Sequence, residues 1–278
     1  MPVCMTVRTK TFSLAGAKDS HKYSFTVVLL PDGASLTQGR WVENALASGA
    51  RSATRNSGSQ PKRLGARASL QFAKFRAPAQ IIISNVAGTR VRSTIIRVIE
   101  VWSDAPAPYW LIPLEEQCGV INRYRNPAQL GSDRWAALIG ARELLGAKPA
   151  LVVVCGTATT IDFLAASGEF EGGVILPGIG LMLRSLHENT AALPDSDGEY
   201  VDNPTQTVDA IASGCQHAQA GAIERLYHLH APREPELACL LSGGAARALS
   251  PRLTIPFELH ENLALEGLYR ISQTLAGA

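Results

Sequence analysis

Three strand-like segments in the second half of the chain each run into glycine, and this pattern narrows the possible folds to one class. Ala150–Val154 precedes Gly156-Thr157, a second segment ends at Pro177-Gly178, and Leu237–Leu241 precedes Ser242-Gly243-Gly244. Stretches with apolar residues at helical spacing follow the second and the third of these segments. Strands that alternate with helices are typical of an α/β protein. We therefore predict the fold class α/β, with hairpins in front of crossover helices.

Individual elements follow from apolar spacing and from breaker residues. The sequence predicts strands over residues 23–30, 80–86, 109–112, 149–154, 159–165, 173–176 and 237–241. It predicts helices over residues 41–47, 89–101, 134–146, 181–188, 207–229, 245–249 and 263–276. The stretch 118–131 reads as a loop, because asparagine, proline and glycine interrupt it. Strand 80–86, helix 89–101 and strand 109–112 together predict a βαβ unit.

Composition excludes several classes of protein. The 278 residues carry a formal net charge of +2, which gives no argument for a nucleic-acid partner. No apolar run approaches the roughly 20 residues of a membrane-spanning helix, and the first residues lack an apolar signal core. Five cysteines without metal-type spacing favour reduced thiols. We expect a cytoplasmic globular protein with an N-terminal subdomain over 1–115 and a C-terminal one over 116–278. The last helix is a candidate to return to the N-terminal subdomain.

Basic residues accumulate in the N-terminal third. Between Glu43 and Glu100 there is no acidic residue, and ten lysines and arginines occur there. One interpretation is a basic arm that binds phosphate or RNA. A second is a surface loop over 44–79, because residues 51–60 are rich in serine, asparagine and glycine. A third is an altered reading frame or start. We favour the second and third, because few aromatic residues accompany the charges.

The glycine segments are candidates for phosphate binding. Gly156 would let backbone N–H groups approach an anion, and Thr157 would add a hydroxyl donor. Gly243 and Gly244 stand between a strand and a helix start, where an anion or a nucleotide is favoured. Each segment has a plain structural alternative, namely a hairpin turn, a tight strand-to-helix connection or a bulge.

Two aspartates are candidates for acid–base chemistry. Asp133 precedes a helix, so it is either an N-cap or a base that accepts the proton of a substrate hydroxyl. Tyr124, Arg125 and Arg134 lie close to it in sequence, and an arginine suits a substrate carboxylate. Asp162 stands in an apolar strand, where it must be paired or face solvent. The simpler interpretation of Asp162 is a solvent-facing position in the alternation.

Seven short motifs in this order resemble the type III pantothenate kinases, which include the Bvg accessory factor proteins and belong to the acetate and sugar kinase/Hsp70/actin superfamily. They span about two-thirds of the chain, from Gln80 to the end. The motifs lie at residues 122–134 (N-R-Y-R-N-P-A-Q-L-G-S-D-R), 156–162 (G-T-A-T-T-I-D), 172–178 (G-G-V-I-L-P-G), 190–194 (T-A-A-L-P), 212–221, 241–244 (L-S-G-G) and 265–268 (L-E-G-L).

The resemblance implies a fold of two RNase H-like subdomains with a cleft between them, and ATP-dependent phosphorylation of pantothenate, the first step of coenzyme A biosynthesis. It implies Asp133 as the general base. It further implies pantothenate binding by Tyr124, Gly131, Ser132, Arg134 and Thr190, with the arginine facing the carboxylate. ATP would contact Gly156, Thr157, Gly243 and Gly244. The expected cofactors are ATP and Mg²⁺, and the expected assembly is a homodimer without a membrane.

Two positions depart from the family pattern. Members of the family begin with Asp-x-Gly-Asn-Ser/Thr-x-x-Lys, and the nearest segment here, around Asp32, lacks the asparagine. Many members also carry an aspartate for a monovalent cation where this chain has Val154. The first departure motivates a second hypothesis, a catalytically impaired relative that acts as a binding or regulatory protein. The metal ligands cannot be named from the sequence.

Overall fold

The computed structural model describes residues 77–190, 193–194 and 198–276, together with the backbone of two earlier strands, Met5–Val7 and Phe25–Leu30. The chain forms two compact units. Unit 1 comprises Met1–Pro113, Gly131–Asp133 and Leu268–Ala278, and unit 2 comprises Leu114–Leu130 and Arg134–Gly267. The predicted helix 41–47, most of the predicted loop 44–79 and Asp32 lie outside the described residues.

Unit 1 contains a four-stranded sheet in the order β1-β2-β3-β4. Its strands are β1 (Met5–Val7), β2 (Phe25–Leu30), β3 (Gln80–Asn85) and β4 (Tyr109–Trp110). The first three are antiparallel, whereas β3 and β4 are parallel and are joined through helix α1 (Gly88–Ile99). The predicted βαβ unit is therefore confirmed. Its core forms where Ile81 and Ile83 of β3 pack with Val91 and Ile95 of α1, because each element has one apolar face.

Unit 2 contains a seven-stranded sheet in the order β11-β10-β7-β8-β9-β6-β5. The strands are β5 (Glu116–Gln117), β6 (Val120–Asn122), β7 (Ala150–Cys155), β8 (Ala158–Leu164), β9 (Glu169–Pro177), β10 (Ala238–Ser242) and β11 (Glu258–His260). β7, β8 and β9 form an antiparallel meander, while β10 is parallel to β7 and β11 is parallel to β10. β7, the first strand of the meander, lies between β8 on one side and β10 on the other. This strand order is the RNase H-like arrangement that the family resemblance implied. The α/β fold class is confirmed.

Five further helices complete the described chain. They are α2 (Ser132–Leu145), α3 (Ile179–Glu188), α4 (Thr207–His230), α5 (Ala246–Leu249) and α6 (Leu263–Ala276). Helix α2 is buried on all sides in its N-terminal half, since every residue from Arg134 to Ala141 is buried. Glycine explains part of this burial, since a β-carbon at Gly267 of α6 would overlap the carbonyl of Ala136 in α2. The two helices can therefore approach closely at this point.

The two faces of the unit 2 sheet differ because side chains alternate along each strand. One face carries Leu151, Val153 and Ile161, which form a core with Ile223 of α4 and Leu249 of α5. The opposite face carries the polar side chains of β8, Thr160 and Asp162, both of them buried. This second face therefore carries the polar side chains of β8 that are candidates for a functional site.

The stretch 118–131, predicted as a loop, contains more structure than expected. β5 and β6 form a hairpin whose two turn residues, Cys118 and Gly119, have positive φ angles of 52° and 77°. Such paired positive φ angles are typical of a tight hairpin turn. A single 3-10 turn, Pro127–Gln129, follows. Two- and three-residue strands are too short to show alternation, which is why neither this hairpin nor β11 was predicted.

Candidate functional site

The turn between β7 and β8 presents exposed backbone at the end of the central strand. Gly156 and Thr157 form this turn, and both are exposed. The amide of Gly156 donates a hydrogen bond to the carbonyl of Ala158 at 3.0 Å, which keeps the turn tight. The threonine hydroxyl and the surrounding peptide groups are the kinds of donor that bind phosphate oxygens.

The end of β9 packs directly against this turn. The amide of Gly178 donates to the carbonyl of Thr157 at 2.9 Å, and a β-carbon at position 178 would overlap the carbonyl of Gly156. Gln219 of α4, which is 1% exposed, donates from Nε2 to the carbonyl of Pro177 at 2.6 Å. Only glycine fits at position 178, and Gln219 fixes the residue before it.

The third glycine segment reaches the same turn from β10. Gly243 has a φ of 97°, and a β-carbon there would overlap the backbone of Cys155. The amide of Ala245 donates to the carbonyl of Cys155 at 3.1 Å. Gly244 is exposed, and a β-carbon on it would meet no atom within 4 Å. The structure therefore brings Gly156, Thr157, Gly243 and Gly244 together around the end of β7.

This glycine cluster, defined as residues 155–157, 177–178 and 242–245, has the chemistry of an anion site. The amides of Gly156, Gly178 and Ala245 are bonded within the protein, so the cluster offers an anion its other loop N–H groups, one exposed threonine hydroxyl and the open space beside Gly244. The sequence argument also invoked a helix dipole after Gly244, but α5 has only four residues, so a long helix does not contribute there. Any attraction for phosphate at this cluster would therefore come from loop backbone and hydroxyl groups.

A second cluster in unit 2 surrounds the guanidinium of Arg134. Its Nε lies 3.2 and 3.1 Å from the two carboxylate oxygens of Asp162, and its Nη2 also donates to Oδ1. Its Nη1 donates to the hydroxyl of Tyr124 at 2.9 Å. Phe170, which is fully buried, stacks near the ring of Tyr124 with centroids 5.3 Å apart.

The interpretation of Asp162 as solvent-facing was wrong. Its side chain is wholly buried and forms an ion pair with Arg134, which is itself only 5% exposed. A lone buried carboxylate is costly, so the position requires such a partner. Burial alone would lower the pKa of Arg134, but the hydrogen bonds and the charge of Asp162 outweigh it and raise the pKa. The guanidinium is therefore always charged.

The loop that leads to Tyr124 is organised by asparagine side chains. Asn122 accepts a hydrogen bond from the amide of Tyr124 at 3.1 Å and donates to the carbonyl of Pro127 at 3.3 Å. Asn126 accepts from the amide of Ala128 at 3.2 Å and caps the 3-10 turn. These contacts fix the tyrosine after β6, because Asn122 is itself buried.

Three predicted residues form a consecutive group in unit 1. Gly131 precedes the first turn of α2, where a β-carbon would lie 2.6 Å from Oδ1 of Asp133. The hydroxyl of Ser132 is 2.8 Å from that of Ser84 in β3, and both side chains are buried. Asp133 is half-buried. The serine pair anchors the start of α2, and Gly131 leaves room for the carboxylate that follows.

The remaining predicted positions lie elsewhere. Thr190 follows α3 and donates from its hydroxyl to the carbonyl of Leu186 at 2.6 Å. Val154 is half-buried at the end of β7 and pairs with Thr160, whose buried hydroxyl has no hydrogen-bond partner among the described residues. An apolar side chain at Val154 offers no oxygen to a cation.

For three further residues of these clusters the sequence did not reveal the contacts. Gln219 stands in the motif 212–221, but its partner, Pro177, is 42 residues away. Gly173 lies directly opposite Asp162 in the β8–β9 pair, and a β-carbon there would overlap the carboxylate. The sequence did contain a signal for the burial of Asp162, namely an acid inside an apolar strand. The pair Gly172-Gly173 was a second signal, since it indicates a place where space is needed.

Among the described residues, no group of three or more histidine, cysteine, aspartate or glutamate side chains could hold a metal ion. Within the same residues, no helix has the length and apolarity needed to span a membrane.

Comparison with known proteins gives consistent matches. Residues 32–229 match the family model described as "Type III pantothenate kinase". The chain is 52% identical to the type III pantothenate kinase of Aromatoleum aromaticum over 72% of its own length and 81% of that protein. It is 48% identical to that of Dechloromonas aromatica, over 72% and 82%. A solved structure, a conserved putative Baf family transcriptional activator from Campylobacter jejuni, is 20% identical with a TM-score of 0.47 and covers 75% of this chain and 88% of its own.

Proposed function

The chain belongs to the type III pantothenate kinase family, and we propose that it transfers the γ-phosphoryl group of ATP to the primary hydroxyl of pantothenate. The observation that carries this proposal is the meeting of the segments 156–157 and 243–244 around the end of β7, since these are the residues that the family resemblance assigns to ATP. Backbone N–H groups and Thr157 would hold the phosphates there. Catalysis would depend mainly on alignment and on stabilisation of charge.

The proton and the phosphoryl group move as follows in the proposed reaction. The pantothenate hydroxyl oxygen bonds to the γ-phosphorus while the bond from that phosphorus to the β,γ-bridging oxygen breaks, and ADP leaves. Asp133 accepts the proton of the hydroxyl, which suits a half-buried carboxylate in the first turn of α2. The substrate contacts proposed for pantothenate are Tyr124, Gly131, Ser132, Arg134 and Thr190.

Described residues do not fit a protein-held Mg²⁺ site at the glycine cluster. The segments 155–157, 177–178 and 242–245 contain no carboxylate, and carboxylates are the protein ligands that Mg²⁺ usually takes. We expect the divalent ion to enter as part of the substrate MgATP. Because the side chain of Val154 has no oxygen, we also expect turnover that needs no monovalent cation.

We propose a homodimer that works in the cytoplasm. Four apolar side chains on β9 and α3 are exposed in the single chain: Val174, Ile175, Leu181 and Leu186. Covering them with a second copy would remove this apolar surface from water. The four described cysteines are free thiols, which supports a reducing compartment.

The test is a coupled assay for ADP with and without pantothenate, together with mass detection of phosphopantothenate. We expect ADP release that depends on pantothenate and one phosphorylated product. Binding of pantothenate without turnover would support the impaired relative instead. ADP release at the same rate without pantothenate would contradict the proposed reaction.

A further inference from the structure

The pair of Asp162 and Arg134 is an unusual feature for the interior of a sheet protein. The two side chains are 1% and 6% exposed, and the carboxylate receives both Nε and Nη2 of the guanidinium. Removing two charges from water costs several kcal/mol for each ion, so a buried pair is often no more stable than apolar residues of the same volume. Stability alone is therefore a weak reason for this pair.

What the pair does supply is orientation. Asp162 holds one edge of the guanidinium, while Nη1 on the other side donates to Tyr124 at 2.9 Å. The central carbon of the guanidinium lies 5.7 Å from the ring centroids of both Tyr124 and Phe170. Gly173 leaves the space that the carboxylate needs. The plane of the guanidinium is thus set from three sides.

The position of this guanidinium in the chain connects it with the proposed chemistry. Arg134 follows Asp133 directly, in the first turn of α2. Tyr124, which Arg134 contacts, is a proposed pantothenate contact. A group that fixes Arg134 therefore acts on two proposed substrate contacts.

We propose that Asp162 is a positioning residue for substrate recognition: through its two-point contact it directs Arg134 toward the carboxylate of pantothenate. This inference rests on the proposed function. Asp162 does not touch the substrate, and its effect is exerted through Arg134. Loss of Asp162 should therefore weaken recognition of the carboxylate more than it weakens the use of ATP.

The experiment compares two alcohol substrates on the same enzyme preparation, pantothenate and its analogue pantothenol, in which an uncharged hydroxymethyl group replaces the carboxylate. The ratio of kcat/KM for pantothenate to kcat/KM for pantothenol does not depend on the fraction of folded protein. In Asp162→Asn, an amide would face guanidinium donors, and the two-point contact would be lost. We expect the ratio to fall at least about tenfold, with the KM for ATP unchanged, because charge-assisted hydrogen bonds are of that strength.

A second variant separates positioning from folding, because Asp162→Asn leaves a buried positive charge and can fail to fold. The double variant Arg134→Met, Asp162→Leu removes both charges and leaves an apolar interior. Protein interiors tolerate such a replacement of a buried ion pair. We expect it to fold and to retain the reduced ratio. The matched control is Glu169→Gln, which breaks the exposed pair of Glu169 with Arg123 and should leave the ratio unchanged.

The outcomes are distinguishable. A fallen ratio in Asp162→Asn supports the inference, whereas a fallen ratio in the double variant, which also lacks Arg134, supports only the contact of Arg134 with the carboxylate on which the inference rests. A ratio equal to that of the wild type in the double variant overturns it and shows that the pair only supports folding. A higher ratio in Asp162→Asn also overturns it, because Asp162 would then compete with the substrate carboxylate. No pantothenate-dependent turnover in the wild-type enzyme would instead overturn the proposed function itself, and the inference with it.

Discussion

Gly243 packs its α-carbon against the backbone of Cys155, so that the ends of β10 and β7 are in direct contact. The contact depends on two properties of glycine, a φ of 97° and the lack of a β-carbon. It places the small segment after β10 beside the turn of Gly156 and Thr157. The proposed phosphate site therefore depends on backbone shape more than on charged side chains.

Gly243→Ala should destabilise unit 2 by about 2 kcal/mol or more, because it adds both backbone strain and steric overlap. The measurement is the free energy of unfolding from denaturant titration. Gly244→Ala is the matched control for stability, since a β-carbon there meets nothing within 4 Å. Equal unfolding free energies for the two variants would contradict the close contact seen at Gly243.

Asp133→Asn should abolish most of the pantothenate-dependent turnover, by about 10²- to 10⁴-fold in kcat, because an amide cannot accept the proton of the hydroxyl. The fold should survive, since loss of one acidic charge from the first turn of α2 costs only about 0.3–1 kcal/mol. Steady-state ADP release and circular dichroism measure the two effects. Turnover within a fewfold of the wild-type rate would remove Asp133 from the role of base.

Thr160→Val should leave the protein as stable as the wild type or stabilise it, by up to about 3 kcal/mol, because the buried hydroxyl of Thr160 has no hydrogen-bond partner among the described residues. The neighbouring change Thr159→Val is the comparison. Thr159 is also buried, but its hydroxyl pairs with the thiol of Cys155. That variant should lose stability, and the reverse order of the two would contradict these assignments.

Alkaline pH should destabilise the fold through two buried thiols. Burial raises the pKa of Cys155 and of Cys239 from 9.0 to about 12. Between pH 9 and 12 the unfolded chain loses these protons while the folded chain keeps them. The free energy of unfolding therefore falls as the pH rises, by up to about 1.4 kcal/mol per pH unit for each thiol.

The measurement is the pH slope of the free energy of unfolding in the wild type and in Cys155→Ala, Cys239→Ala. We expect a shallower slope in the double variant, whatever the other groups that titrate there contribute. Cys118→Ala is the control, because Cys118 is only half-buried and should leave the slope unchanged. Identical slopes in all three proteins would show that the thiols ionise equally in both states.

Predictions based on local patterns agree closely with the structure. The predicted helix 134–146 corresponds to α2, residues 132–145, and the predicted strand 149–154 corresponds to β7, residues 150–155. Both elements are long enough for periodicity and breaker residues to mark them. The hairpin of β5 and β6 was missed for the opposite reason, since two or three residues show no period.

The two residue clusters also differ in whether local sequence patterns predicted them. The three glycine segments were each singled out from the sequence, because a glycine between two elements is a local signal. Asp162 was wrongly predicted to face solvent, because a position in a strand does not reveal which side chains cover it. Its partner, Arg134, is 28 residues away. The roles of Asp133 and of the pantothenate contacts stay predictions.

By itself the sequence determined the α/β class, the order of most elements and the places where the backbone had to be glycine, since these depend on interactions between near neighbours in the chain. Only the tertiary structure decided that Asp162 is buried against Arg134, that Gln219 holds Pro177, and that three separate glycine segments meet at the end of β7. Those contacts join residues tens of positions apart, and packing between elements, which no local pattern encodes, selects them.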